Sequence, residues 1–61
     1  MDARELEKII QADGWTAVKQ SGSHKHYKHP SKSGKVTIPF HRHKDLNIKT
    51  VNTILKQAGL K

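Results

Sequence analysis

The chain has no cysteine, only three aromatic residues, and a single acidic side chain after residue 13. Without cysteine there is no disulfide and no thiolate metal site to make up for a small core, and a reducing compartment fits. No apolar run exceeds two residues, which leaves no stretch suited to a transmembrane span or a signal-peptide core. The expectation is a cytoplasmic protein of one domain, residues 1–61, near the lower size limit for a fold held by its core alone. The aromatics Trp15, Tyr27 and Phe40 all pattern as core. That speaks against single-strand recognition by stacking bases on exposed rings.

What is abundant is positive charge, unevenly spread. Residues 1–13 hold four acidic side chains against two basic ones, a net of −2. The rest holds ten Lys and Arg against Asp45 alone, a net of +9. A solubilising coat would be mixed throughout. This distribution fits a polyanionic partner, whether RNA, DNA or an acidic protein surface.

Asp2 followed by Glu5 reads as an N-cap and capping box. Leu6, Ile9 and Ile10, with Ala3 a turn earlier, form an apolar stripe for a helix over 3–13, ended by Gly14. Residues 15–20 alternate loosely as a short strand, with Trp15 and Ala17 on one side and Thr16 and Val18 on the other. Ser21-Gly22 turns the chain, and 23–29 forms the second strand. There, period-2 alternation sets His24, His26 and Lys28 on one face and Ser23, Lys25 and Tyr27 on the other. Pro30 to Gly34 is turn chemistry, and Pro30 cannot donate to a ladder, so His29 beside it reads as an exposed strand end. A third strand over 35–39 turns Val36 and Ile38 inward with Tyr27. After a loop over 40–46, Asn47 caps a second helix with the stripe Ile48, Val51, Ile54, Leu55 and Ala58, closed by Gly59. The order αβββα gives an α+β fold: a three-stranded antiparallel meander with both helices on one face and the histidines on the other.

Five histidines raise a metal reading through His24-x-His26 and His41-x-His43. No cysteine assists and only Asp45 lies near the second pair, so no metal or other cofactor is assigned. Imidazoles beside lysines instead suit proton transfer next to a phosphate. The element order is also that of a double-stranded-RNA-binding domain, which reads shape through phosphates and 2′-hydroxyls and asks for lysines. Fold analogy alone does not assign function.

Three motifs in order carry a family resemblance: Gly22-Ser23-His24 leading to Tyr27, Val36-Thr37-Ile38-Pro39-Phe40-His41, and Ile54-Leu55-Lys56-Gln57-Ala58-Gly59-Leu60. Together they resemble the HicA toxins of type II toxin–antitoxin systems, across nearly the whole chain. The resemblance implies a small mRNA interferase on a fold like that of double-stranded-RNA-binding domains, neutralised by a HicB-like antitoxin. It maps the family's catalytic histidine onto His24 and its P-x-H histidine onto His41. Members commonly carry a Pro-Gly or Lys-Gly before the last helix, where this chain has Asn47-Ile48-Lys49-Thr50-Val51.

The mechanism expected is metal-independent RNA cleavage, with His24 taking the proton from a ribose 2′-OH. Lys25 and Lys28 would balance charge on the phosphorane. Ser23, Lys25, His26, Lys28, Lys35, His41 and Arg42 are the candidate RNA contacts, with Lys32 adding to the lysine cluster. A different reading, a non-catalytic RNA-binding module, uses the same basic face and makes His24 an ordinary surface histidine. The antitoxin is expected to cover His24, His26 and Lys28 and to approach Arg42 and Lys44. No membrane partner is implied.

Overall fold

The computed structural model describes residues 1–41 and 45–61. Five elements follow the expected order: α1 (Ala3–Ala12), β1 (Thr16–Ser21), β2 (His24–Lys28), β3 (Val36–Pro39) and α2 (Ile48–Gln57). The strands form one antiparallel sheet in the order β1-β2-β3. This is the α+β arrangement of a double-stranded-RNA-binding domain.

Each helix is set by its ends. The Asp2 carboxylate accepts from the Glu5 N–H at 2.9 Å, and Glu5 accepts from the Asp2 N–H at 3.2 Å, so the capping box is closed. Asn47 caps α2 by accepting from the Lys49 N–H at 2.8 Å. This polar cap starts the helix without a glycine.

The core lies between the helices and the inner face of β2 and β3. Leu6 and Ile10 of α1, Val51, Ile54 and Ala58 of α2, and Trp15, Tyr27, Val36 and Ile38 are all buried, with Phe40, Leu46 and Leu55 packed against them. Two stripe residues depart from expectation. Ile9 is 39% exposed and Ile48 is 68% exposed. At about 100° per residue, Ile9 lies roughly a quarter-turn from the line of Ala3, Leu6 and Ile10. Ile48 is the first helical residue, and its turn extends past the core.

Strand β1 also differs. Its six residues are all exposed, and the helices make their main approach to the sheet at β3. Its register slips between Ala17 and Lys19: Ala17 pairs with Tyr27, but Lys19 pairs with His26. The extra residue, Val18, makes a β-bulge and interrupts the alternation.

His29 overturns an expectation outright. It is no exposed strand end: its side chain is only 8% exposed. Nε2–H donates to the Asp13 carbonyl at 2.7 Å, while Nδ1 accepts from the backbone N–H groups of Ser31 and Lys32 at 3.0 and 3.2 Å. The ring packs edge-on against Trp15 at 5.3 Å. A histidine after the last strand residue is well placed to satisfy both the end of α1 and the turn beyond Pro30. Lys32 completes the join, donating to the Asp13 carboxylate at 2.5 Å and to the Ala58 carbonyl at 3.0 Å. One lysine thus ties the C-terminal ends of both helices, where a cation is favoured by the helix dipole. The hydrogen bond from Lys32, with the charge it carries, holds the Asp13 carboxyl below the usual carboxylate range.

Candidate nucleic-acid interface

Strand register assigns the open face of the sheet. His24, His26 and Lys28 lie on it, with Ser21, Lys19 and Thr16 opposite them in β1. Pro39 and Thr37 of β3 flank His24 and His26 on the other side, and Lys35, just before β3, continues that edge. Gly22 and Ser23 form the two-residue hairpin that launches β2. Gly22 has φ +59°, a left-handed conformation that glycine adopts without strain. Its neighbour Ser23 is exposed, and the Ser23 carbonyl accepts from the Phe40 N–H at 2.6 Å. This bond holds the hairpin tip beside the end of β3.

His24 is exposed at the start of β2, beside the hairpin. His26 is half-buried at the centre of the sheet, and its Nδ1 is 2.8 Å from Thr37 Oγ1. Desolvation, then the charges of Lys35, Lys19 and His24, lower its pKa below 6.5. The imidazole is therefore biased toward its neutral form, first by burial and then by the positive charges around it.

The lysines divide. Lys25 points to the helix side, as alternation requires, and there it pairs with Glu7 at 3.2 Å and lies 4.9 Å from the Phe40 ring centre. Glu7 also accepts from the buried Tyr27 hydroxyl at 2.5 Å. Burial first, and this carboxylate second, push the Tyr27 pKa far above its usual value. Lys25 and Lys32 are thus committed to internal ion pairs. Lys19, Lys28 and Lys35 make no ion pair among the described residues. His41 is exposed beyond the end of β3. Arg42, His43 and Lys44, invoked for RNA, metal and antitoxin contacts, lie outside the described residues.

All five carboxylates are off the sheet. Asp2 and Glu5 cap α1, Glu7 serves Tyr27 and Lys25, Asp13 serves Lys32, and Asp45 lies 4.0 Å from the N-terminal amine. None belongs to a strand, so nothing acidic neutralises the open face. Lys19 is a cation of this face that the sequence did not single out. Strict alternation from Ala17 would have turned it toward the helices, and no glycine marks the bulge that reverses it.

Fold and face together define a small basic αβββα protein of the double-stranded-RNA-binding-domain type, with imidazoles and lysines on its free sheet surface. A family model described as "HicA toxin of bacterial toxin-antitoxin" matches residues 3–60. The chain belongs to the HicA toxin family, and so is the toxin of a toxin–antitoxin pair with a cognate antitoxin as its partner. No curated protein matches the sequence. No helix among the described residues is long and apolar enough to cross a membrane.

Proposed function

We propose that this toxin is a cytoplasmic, metal-independent endoribonuclease acting on mRNA, with His24 as the general base. The observation that carries the reading is His24 exposed at the edge of a cationic face that holds no carboxylate. A phosphate brought there meets positive charge, and the imidazole can take the proton from the adjacent ribose 2′-OH. The 2′-oxygen then bonds to phosphorus and the bond to the 5′-oxygen breaks. The products are a 2′,3′-cyclic phosphate and a 5′-hydroxyl, the leaving oxygen taking its proton from water or from an acid. General-base catalysis contributes about 10²–10⁴-fold. Lys28 shares the His24 face but lies four residues along β2, about 13 Å away, so it adds to the positive field of the face at a distance from the phosphorane. Lys25 lies behind the sheet with Glu7.

The test is cleavage of purified RNA in EDTA by the wild type and by His24→Ala. The wild type should yield cyclic-phosphate ends, and the variant should lose cleavage and growth inhibition while keeping its fold. An exposed strand position typically changes stability by under about 0.5 kcal/mol. Cleavage by the variant at the wild-type rate would remove His24 from the chemistry. Salt-dependent RNA binding with no cleavage by either protein would instead leave a non-catalytic RNA-binding module.

A further inference from the structure

We propose that Lys19, Lys35 and the Nε2 edge of His26 form a subsite for a second phosphodiester of the RNA chain, next to the one that His24 attends. This rests on the reading of the open face as the RNA surface. Three features of the geometry carry it.

First, the groups converge from three segments. Lys19 lies opposite His26 in β1, Thr37 lies opposite it in β3, and Lys35 immediately precedes β3. Lys19 belongs to the group only because the Val18 bulge turns it from the helix side to the open side. Second, the His26 ring is held. Nδ1 lies 2.8 Å from the Thr37 hydroxyl, which can donate to the neutral ring or accept from the protonated one, so in either state Nε2–H can be offered to a phosphate oxygen. Third, the spacing is right. His24 and His26 are two residues apart on one strand face, a separation of about 6–7 Å, comparable with that of successive phosphates along an RNA strand.

Lys19, Lys35 and His24 all disfavour a proton on His26 in the free protein. Lys28, on the same face, is also cationic. A bound phosphate would reverse that bias, so occupation of the subsite draws a proton onto His26 and affinity rises as pH falls from 7 toward 5.5. The subsite would set where the strand lies relative to His24, which makes Lys19 a positioning residue.

The experiment measures binding of a 2′-O-methyl RNA oligonucleotide, which cannot be cleaved through the 2′-oxygen, over a range of salt and pH. Lys19→Ala should reduce the slope of log affinity against log salt by about 0.7. Lys19→Arg should restore the slope, and Lys8→Ala on α1 should leave it unchanged. His26→Gln should reduce the rise in affinity at lower pH. An unchanged slope in Lys19→Ala, or an equal loss in Lys8→Ala, would overturn the subsite in favour of diffuse attraction. Cleavage of unmodified RNA, run in parallel, separates the two readings. If cleavage depends on His24 but the slope ignores Lys19, the subsite alone falls. If the slope depends on Lys19 but no RNA is cut, the nuclease reading falls and the subsite stands.

Discussion

His24, His26 and His29 lie within six residues of one another and have three different surroundings. His24 stands in solvent, His26 half-buried among cations, and His29 locked beneath the turn after β2. The second of these gives a pH prediction. The pKa of His26 is lower folded than unfolded, so below about 6.5 the unfolded chain binds more protons and stability falls with pH. The contribution is complete above the unfolded value and is lost as pH falls through the lowered folded one. Urea unfolding at pH 7 and pH 5 should therefore show a smaller acid loss in His26→Gln than in the wild type. Asp13 acts in the same direction in a lower window, with its contribution present above about 3.8 and lost below it, so pH 5 isolates the histidine.

Tyr27 is the other residue whose polar atom matters. Tyr27→Phe keeps the ring in the core and removes the hydrogen bond to Glu7, which Lys25 still neutralises. A hydrogen bond to a charged group contributes about 1.5–3 kcal/mol, and the lower end is expected because Glu7 keeps its partner. Ile10→Ala, a cavity in the same core, should cost more, about 2–5 kcal/mol. Denaturant midpoints would rank the two, and a Tyr27→Phe loss equal to that of Ile10→Ala would show that Glu7 is left unsatisfied.

At the scale of elements, the ends of the helices decide how the sheet is presented. Gly14 follows α1 with φ +110°, and a Cβ there would come within 2.7 Å of His29 Nε2. Gly14→Ala would combine backbone strain with displacement of the imidazole that ties α1 to the turn beyond β2. About 2 kcal/mol or more of stability should be lost. Gly22 is the useful contrast. Its φ is also positive, but a Cβ there meets nothing within 4 Å, so Gly22→Ala should cost only about 1 kcal/mol. Thermal melts of both variants test this ranking. Equal losses would mean that the His29 lock contributes little.

For the whole molecule, the dominant fact is segregation of charge. A chain with net charge +7 keeps its acidic side chains off the sheet, while Lys19, Lys28 and Lys35 stand on or beside its open face without an ion pair among the described residues. Self-repulsion there opposes folding, and an acidic partner across the sheet relieves it. Antitoxin covering His24, His26 and Lys28 would block RNA access directly, with no allosteric step. The complex should melt above the free toxin by mass action, and RNA should compete with antitoxin. Fluorescence competition measures this, and a ternary complex with neither affinity reduced would place the antitoxin elsewhere.

Much of this architecture is legible from residue order, because helix stripes, caps, turn glycines and strand alternation act over a few neighbours. The αβββα order, the helix ends near Gly14 and Gly59, the buried Tyr27, Val36 and Ile38, and the face shared by His24 and His26 all follow from such local patterns. Pairings between distant segments do not. Glu7 is eighteen residues from Lys25 and Asp13 is nineteen from Lys32, and only packing of α1 against the sheet turns four charged side chains into two internal ties. The burial of His29 depends on the same packing, which brings the Asp13 carbonyl to its ring. Lys19 is the plainest case: a one-residue bulge, set by how β1 pairs with β2, reverses its face and brings it to the histidines.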